Sequence, residues 1–346
     1  MRKTAAKLLT VAALATSLAT VVSGTAVADP AAGVTPNSQD IVGVGSDTTQ
    51  AVLNQLAADY NATLTDPNAP HLYSWDAIPT GTITTKTGAT AITRPNGSGA
   101  GITALNANTS ATVDFARSSR APQPTDPTTD DFVALAKDAV AWAAPSTGNA
   151  PANLTTQNLK DIYTCAVTTW NQIDPSLSTD TIKPFLPQTG SGTRSFFLGA
   201  IGGGTAVTPG TCVNSSVQEN QGSDSQLADV DALVPYSAAH YIGQVYFGKG
   251  SGADVQGPLT IRSINGVAPV DATNKVITAD YATTTYARVV YNVFRDAEWT
   301  ATDTHGTTLR AIFGRGGWIC SNGASDLTSF GFLPLAAFNC GSVYHS

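Results

Sequence analysis

Three Gly-Ser pairs in this chain each precede apolar residues at helical spacing. They lie in Gly45-Ser46-Asp47-Thr48-Thr49, Gly97-Ser98-Gly99-Ala100-Gly101 and Gly190-Ser191-Gly192-Thr193-Arg194. Serine and glycine favour helix starts, where the first backbone N–H groups lack an intrahelical partner and the helix dipole favours negative charge. We therefore predict three helix N-termini, and their convergence would create a site for one small anion.

The order of the predicted elements places the chain in the α/β class. Apolar segments typical of strands lie at residues 40–44, 113–116, 139–143, 234–236 and 288–294. Helical spacing is seen after each Gly-Ser turn, at Phe132, Leu135 and Ala136, and in a final helix that contains Leu309 and Ile312. Strands that alternate with helices indicate parallel sheets. The continuous apolar run at residues 288–294 is typical of a buried parallel strand.

The first 28 residues have the pattern of a secretory signal peptide. Basic residues at positions 2, 3 and 7 precede an apolar stretch at residues 8–22, and Ala26-Val27-Ala28 forms a small-residue cleavage site. The apolar stretch is short and contains Thr and Ser, which disfavours a membrane anchor. We expect cleavage after Ala28 and a secreted, extracellular protein. No Cys stands directly after the cleavage site, so we expect no lipid anchor.

The charge of the chain disfavours several classes of partner. The full chain has 18 Lys and Arg against 25 Asp and Glu, and three of the basic residues lie in the predicted signal, which leaves the mature chain with a charge of −10. A net negative charge argues against nucleic acid and anionic membranes as partners. A small anion is still compatible with this charge, because backbone N–H groups and a few arginines act locally.

Four cysteines in a chain that we expect to be exported favour disulfides. Three pairings are open. We favour Cys165 with Cys212 and Cys320 with Cys340, because each pair then lies within one of the two domains that the length predicts. No C-x-x-C motif is present and the four histidines are scattered, so we expect no metal and no cofactor.

The sequence carries no recognisable catalytic motif. No G-x-S-x-G motif surrounds a serine, and no histidine has the sequence context of a catalytic triad. A triad assembled from distant segments stays open, because such partners are often far apart in the chain. We predict no catalytic residues and no enzymatic activity.

Five short motifs occur in a specific order along residues 40–345. They lie at residues 43–49, 97–102, 113–120, 154–159 together with 169–171, and 190–194. Each motif alone is common, but in this order they make the chain resemble the substrate-binding proteins of phosphate-type ABC transporters, which have the type II periplasmic-binding-protein fold. The resemblance rests above all on the Gly-Ser-Gly-Thr-Arg sequence of the last motif.

The resemblance implies two α/β lobes joined by crossing strands and closing on a ligand about a hinge. We expect a first lobe at residues 40–144 and 290–346 and a second lobe at residues 145–289. Residues 29–39 are rich in Pro and Ala and are expected to be a disordered lead-in. The implied function is the capture of phosphate or a similar small oxyanion for an ABC transporter permease, and we expect a monomer.

Carried over by motif position, the resemblance places ligand contacts at all three turns and after one strand. The implied ligand-binding residues are Asp47, Thr48, Ser98, Ser119, Arg120, Ser191, Gly192, Thr193 and Arg194. Hydroxyl and N–H donors suit a desolvated oxyanion, and an arginine adds a charge-assisted pair.

Two positions depart from the pattern of phosphate-binding relatives. Ser119 stands where many relatives have Asp, and Pro187 stands where many have Arg. Arg120 or Arg194 could supply the missing cation, and Asp47 could supply the missing acceptor. Asp47 is equally explained as an ordinary residue of a helix N-terminus. The identity of the oxyanion is therefore open.

Two other functions stay open. One is an extracellular sensing or interaction protein that keeps the fold without tight anion binding. The other is a secreted phosphatase-like enzyme, which is less favoured because no sequence feature beyond the site itself supports it.

Overall fold

The computed structural model describes residues 29–30 and 33–345, and the predicted signal peptide lies outside them. The helices of this part of the chain are α1 (Gln50–Ala62), α2 (Ser98–Ala107), α3 (Thr156–Tyr163), α4 (Gly192–Ile201), α5 (Ala238–Tyr246), α6 (Asp296–Trp299), α7 (Thr304–Phe313), α8 (Trp318–Asn322) and α9 (Ala324–Ser329). Short 3₁₀ helices span Trp170–Gln172, Ser225–Ala228 and Tyr281–Thr283. Within the described residues, no helix has the length and apolar character needed to cross a membrane.

The strands are β1 (Ile41–Gly45), β2 (Leu72–Ser74), β3 (Thr82–Ile83), β4 (Ile92–Thr93), β5 (Phe115–Ser118), β6 (Asp130–Pro145), β7 (Asn153–Leu154), β8 (Lys183–Pro187), β9 (Asn214–Val217), β10 (Ala232–Ser237), β11 (Leu259–Ile264), β12 (Val270–Asp271), β13 (Val276–Ile277), β14 (Ala287–Arg295), β15 (Leu333–Pro334) and β16 (Val343–Tyr344). Strands and helices are interspersed along the chain, as expected for the α/β class, with runs of strands at β2–β4, β5–β7 and β11–β13 and a run of helices at α6–α9.

The sheet of the first lobe begins with the predicted strand–turn–helix unit. β1 pairs in parallel with β2 and β5, and β14 and the first half of β6 continue the sheet in antiparallel pairing. The sheet order is therefore β2-β1-β5-β14-β6. Phe115 of β5 packs on Phe294 and Phe313, with ring centroids 5.8 Å and 4.9 Å away. These aromatic contacts tie β5 and β14 to α7 in one core.

β6 is 16 residues long and belongs to both lobes. Its second half pairs in antiparallel fashion with β10 and β11, and β8 and β9 continue that sheet in parallel pairing. The sheet order in the second lobe is therefore β6-β10-β8-β9. β6 leads the chain out of the first lobe and β14 leads it back, so these are the crossing strands of a two-lobed α/β fold.

The helix expected around Phe132 and Leu135 is wrong. These residues belong to β6, which is buried along almost its whole length. A strand that is covered on both faces needs apolar residues at successive positions. Such a run also contains residues at helical spacing, which explains the wrong prediction.

The strand predicted at residues 288–294 is confirmed as β14, but it is antiparallel to both β5 and β6. Burial of both faces accounts for its continuous apolar sequence. This pattern does not indicate whether the neighbouring strands are parallel or antiparallel. The helix around Leu309 is confirmed as α7, although it is followed by α8 and α9 and is not the final helix.

Residues that precede β1 contact the first lobe. Asp29 accepts hydrogen bonds from the Arg94 guanidinium at 2.6 and 2.8 Å and from the Asp76 N–H at 2.9 Å. The Thr87 N–H donates to the Pro36 carbonyl at 2.8 Å. The segment predicted to be a disordered lead-in is therefore attached at two points. The lobe boundaries after residues 144 and 289 stay a prediction.

The favoured disulfide pairing is confirmed. Cys165 is bonded to Cys212 in the second lobe, and Cys320 is bonded to Cys340 in the first lobe. The paired cysteines are separated by 47 and 20 residues in the sequence, so the two bonds close loops of different length.

Removal of each disulfide should lower stability according to the loop that it closes. Replacing Cys320 and Cys340 with Ala should lower the free energy of unfolding by about 3 kcal/mol, and replacing Cys165 and Cys212 by about 4 kcal/mol, because the longer loop gains more entropy in the unfolded chain. Equilibrium urea unfolding of the two double variants and the wild type measures these differences. Unfolding free energies equal to that of the wild type would contradict this expectation.

Candidate functional site

The first and third Gly-Ser turns meet at the junction of the two lobes. The hydroxyl oxygens of Thr48 in the first lobe and Thr193 in the second lobe lie 3.3 Å apart. The second turn joins them, because the Gly99 N–H donates to the Gly190 carbonyl at 3.0 Å. The three turns that the sequence predicts to converge therefore do so, with two turns from the first lobe and one from the second.

Ser98 and Ser119 lie together at this junction. The Ser98 hydroxyl oxygen accepts a hydrogen bond from the Ser119 N–H at 2.9 Å and lies 3.2 Å from the Ser119 hydroxyl oxygen. Gly192 of the second lobe packs directly on this pair, since a Cβ at Gly192 would lie 2.4 Å from each of the two hydroxyl oxygens. A side chain at that position would force the two serine hydroxyls to shift, so glycine allows the close approach of the lobes seen here.

The first turn is held in place by Arg117 of β5. The buried guanidinium donates from Nε to the Ser46 carbonyl at 3.0 Å, from Nη2 to the Gly45 carbonyl at 3.2 Å, and from Nη1 to the Ser74 hydroxyl at 2.6 Å. Burial lowers the pKa of Arg117 to about 10, which leaves the side chain charged near neutral pH. These bonds fix the backbone of the turn that enters the site.

α4 begins at the third turn with Ser191 as its N-cap. The Ser191 hydroxyl accepts a hydrogen bond from the Arg194 N–H at 3.0 Å, so this side chain satisfies the helix start. Thr193 is fully buried, and its hydroxyl lies against Thr48 across the lobe junction. Within this turn, Ser191 caps the helix and Thr193 faces the first lobe.

Glu219 reaches both threonine hydroxyls, although sequence analysis did not single it out. The hydroxyls of Thr48 and Thr193 both donate to its Oε1. The carboxyl group is buried, and its Oε2 has no hydrogen-bond partner among the described residues. Glu219 is a lone acidic residue between Gln218 and Asn220, and no motif marks it.

A buried arginine at the junction, Arg288 of β14, was also missed by sequence analysis. Its Nη2 donates to the Thr193 hydroxyl at 2.8 Å, and Nε and Nη2 donate to the Asp138 carboxylate at 3.0 and 2.8 Å. Its Nη1 is buried and finds no hydrogen-bond partner within residues 33–345. The sequence did carry a signal, because a charged residue at the start of a buried apolar strand needs a partner.

The two arginines named from the sequence have other partners. The Arg120 guanidinium donates to the Asp126 carboxylate at 2.6 and 2.8 Å. The Arg194 guanidinium donates to the Pro187 carbonyl at 2.9 Å and to the Ser215 hydroxyl at 2.8 Å. In the part of the chain that the structure describes, neither guanidinium contacts the threonine hydroxyls at the junction. The expectation that one of them supplies the cation for a ligand stays a prediction, and Arg288 is the arginine that lies against Thr193.

Asp47 lies in the site and also belongs to the start of α1. Its carboxyl group is buried and accepts a hydrogen bond from Gln188 Nε2 of the second lobe at 3.1 Å. Its carbonyl accepts a hydrogen bond from the Gln50 N–H at 3.1 Å. Burial and, second, the negative charge of Glu219 raise the pKa of Asp47 well above its ordinary value, which favours the protonated carboxyl.

His240 of α5 connects the lobes next to the first turn. Its Nε2 lies 2.6 Å from Asp254 Oδ1, and its Nδ1 lies 3.3 Å from the Thr48 carbonyl oxygen. Burial by itself lowers the pKa of His240, but the Asp254 carboxylate and the hydrogen bond to the Thr48 carbonyl outweigh it and raise the pKa to about 9. The charged imidazolium therefore donates to both lobes near neutral pH.

The junction therefore offers hydroxyl and guanidinium donors. The two ring nitrogens of His240 are bonded to the Asp254 carboxylate and to the Thr48 carbonyl, not to a hydroxyl. Among the described residues, no group of His, Cys, Asp and Glu could hold a metal ion. What this arrangement suits is hydrogen bonding to a small oxyanion.

Comparison with known proteins identifies the wider group that shares this fold. A family model described as the PBP superfamily domain matches residues 30–293. No curated protein shows significant sequence similarity to the chain.

Several solved structures share the fold. An ABC-type phosphate transport receptor from Vibrio cholerae superposes with a TM-score of 0.56 at 18% identity, covering 85% of this chain and 99% of the receptor. A Clostridium perfringens protein, described as a putative phosphate ABC transporter substrate-binding protein with bound phosphate, superposes with a TM-score of 0.58 at 16% identity, and the match covers 86% of this chain and 100% of that protein. A phosphate-binding protein from Stenotrophomonas maltophilia superposes with a TM-score of 0.53 at 13% identity, and the match covers 86% of this chain and 91% of that protein. These similarities confirm the predicted fold class.

Closure of the lobes should depend on the absence of a side chain at Gly190. A Cβ there would lie 2.5 Å from the Asn96 carbonyl oxygen in the first lobe, and a backbone atom cannot move away easily. Gly190→Ala should therefore hold the lobes apart, and small-angle X-ray scattering should show a larger radius of gyration than in the wild type. Gly199→Ala in α4 is the matched control, because a Cβ at Gly199 has no atom within 4 Å. A Gly190→Ala variant as compact as the wild type would contradict the observed junction.

The ion pair of His240 should make stability depend on pH. Its pKa in the folded chain, about 9, lies above the unfolded value of about 6.5. The stabilisation is therefore fully present below about pH 6.5 and is lost as the pH rises through 9, with a total of about 3 kcal/mol. Urea unfolding of the wild type and His240→Gln between pH 6 and 10 measures it.

The raised pKa of Asp47 makes stability fall in the same direction, but Asp47 is present in both proteins. The difference between the two pH curves therefore isolates His240. Parallel curves across this range would show that His240 carries no such charge.

Proposed function

The chain belongs to the PBP superfamily, and we propose that it is a secreted solute-binding protein that captures phosphate or a similar small oxyanion for ABC-type uptake. The proposal rests on the meeting of donors from three parts of the fold. Thr48 comes from the first lobe, Thr193 from the second lobe, and Arg288 from a crossing strand. The Thr193 hydroxyl lies 3.3 Å from the Thr48 hydroxyl and 2.8 Å from Arg288 Nη2.

The chemistry of these donors fits an oxyanion. A buried donor without a partner costs about 1–3 kcal/mol, and Nη1 of Arg288 is such a group in the described structure. An anion oxygen at hydrogen-bond distance from Nη1 would remove this cost and add a charge-assisted bond. Arg288 therefore fills the role that the sequence suggested for Arg120 or Arg194.

The helix starts add further donors at the same place. α2 begins at Ser98 and α4 begins at Gly192, and both starts lie at the lobe junction. The positive ends of two helix dipoles from different lobes therefore face each other across the junction. This placement favours a small negative group between them.

The relatives support phosphate as the first ligand to test. The similar Clostridium perfringens structure is described with bound phosphate, and it shares the fold over 86% of this chain. The other two similar structures are described as a phosphate transport receptor and a phosphate-binding protein. By analogy with the two structures described as ABC transport proteins, we infer that this chain delivers its ligand to an ABC permease. That it acts as a monomer stays a prediction.

Secretion and the absence of catalysis are parts of the same proposal. Two disulfides support export, because such bonds persist in oxidising compartments. His240 is bonded to Asp254 and to a backbone carbonyl rather than to a serine or threonine hydroxyl, and its raised pKa of about 9 favours the charged form, which is not a base, near neutral pH. These contacts support binding without chemistry over the phosphatase-like alternative.

Thr193 should be required for anion binding. Thr193→Val keeps the shape of the side chain but removes the hydroxyl, so affinity should fall by about 10- to 100-fold, the value of a hydrogen bond to a charged group. Isothermal titration calorimetry with phosphate, sulfate, arsenate and molybdate measures the affinity of the wild type and the variant.

Two control variants sharpen this experiment. Ser195→Ala removes a hydroxyl on the same helix that accepts from Gln123 at 2.7 Å, and Arg194→Ala removes the arginine of the sequence motif. Both should bind like the wild type. If none of the four oxyanions gives heat with the wild type, the proposal fails and the sensing or interaction alternative is favoured. Full affinity in Thr193→Val would place the anion elsewhere.

A further inference from the structure

The segment that carries Glu219 is anchored within the second lobe. The Glu219 N–H donates to Gln188 Oε1 at 3.0 Å, and the next carbonyl, of Asn220, accepts hydrogen bonds from the Tyr236 hydroxyl at 2.7 Å and from Gln244 Nε2 at 2.9 Å. Asn220 has a φ of 59°, in the left-handed region that few residues adopt. The surrounding contacts therefore hold this backbone and direct the Glu219 side chain into the junction.

Glu219 bridges the two lobes through one carboxylate oxygen. Its Oε1 accepts from Thr48, which belongs to the first lobe, and from Thr193, which belongs to the second. The neighbouring Gln218 also reaches the first lobe, because its Oε1 accepts from Asn96 Nδ2 at 2.8 Å. The side chain is 2% exposed, so water cannot replace these contacts while the lobes are closed.

Glu219 and a bound oxyanion would compete for the same two hydroxyl protons, those of Thr48 and Thr193. A threonine hydroxyl has one proton to donate, and both Thr48 and Thr193 donate theirs to Glu219. An oxyanion can receive these two hydrogen bonds only if Glu219 gives them up. In addition, an anion placed beside an ionised buried carboxylate would be repelled, with little solvent to screen the two charges.

We propose that Glu219 is an internal competitor for the oxyanion: its carboxylate takes the donors of the binding site and holds the lobes together until a ligand displaces it. This inference rests on the proposed function, and it assigns Glu219 the role of setting the affinity of that site. The ligand must supply an oxygen that replaces Oε1 between the two threonines, and Glu219 must turn out of the junction when it does.

A single substitution can test the role of the negative charge of Glu219 separately from the size of its side chain. Glu219→Gln keeps the size of the side chain and removes its charge, so phosphate should bind about tenfold more tightly or better than to the wild type, because a neutral amide competes less well for the hydroxyls. Calorimetric titration with phosphate at neutral pH, after exhaustive dialysis, measures this change. Glu298→Gln is the matched control, since it is the same substitution at an acid that pairs with Arg295 in the first lobe, and it should bind like the wild type.

The bridge between the lobes is tested on the protein without added ligand. Glu219→Ala removes the group that joins Thr48 to Thr193, so its radius of gyration in small-angle X-ray scattering should exceed that of the wild type. Addition of phosphate should return it to the compact value. A Glu219→Ala protein that is as compact as the wild type would overturn the bridging role.

The outcomes separate this inference from the proposed function. If the wild type binds phosphate and Glu219→Gln binds it equally or more weakly, the proposed function stands and the competitor role is overturned. If only Glu219→Gln binds phosphate, the proposed function of the wild type fails, while the competitor role is supported because the site takes the anion once the charge of Glu219 is removed. If neither the wild type nor any Glu219 variant binds any of the four oxyanions, the proposed function and the competitor role both fail.

Discussion

The ion pair between Asp138 and Arg288 is the interaction on which the site depends. The two residues face each other in register on the crossing strands β6 and β14, and both are buried. Asp138 also accepts hydrogen bonds from the Ser237 hydroxyl and the Ala239 N–H at the start of α5, while Arg288 donates to Thr193 at the start of α4. One pair therefore sets the positions of two helix starts relative to the strands that join the lobes. Breaking such a pair costs about 3–5 kcal/mol, because the remaining charge stays buried.

The charged groups around this pair bear on how the proposed site would select an anion. The electrostatic neighbours of the junction include four carboxyl groups and three cationic groups, namely Asp47, Asp138, Glu219, Asp254, Arg117, Arg288 and His240. This balance gives no general attraction for an anion. The protonated form that burial favours at Asp47 reduces the repulsion. In the proposed function, anion binding therefore depends on the Thr48 and Thr193 hydroxyls and on the Arg288 guanidinium, which lie together at the junction.

The sequence predicted the parts of the site that depend on local chemistry. Gly-Ser pairs define helix starts through their own backbone, so the turns containing Thr48, Ser98 and Thr193 could be found without the fold. The direction of a long side chain is different, because distant partners decide it. Arg120 is directed away from the threonine hydroxyls because it pairs with Asp126. Arg288 reaches the site from a crossing strand, and Glu219 reaches it from a segment without a motif. The same limit applies to β6, where burial on both faces produced a pattern that also fits a helix.

The most direct test of this account is a crystal structure of the protein grown with phosphate. The account predicts one phosphate between Thr48 and Thr193, within hydrogen-bond distance of Arg288 Nη1, with the Glu219 carboxylate turned away from both hydroxyls. A phosphate bound instead to Arg120 or Arg194, while Glu219 still accepts from both threonines, would contradict it.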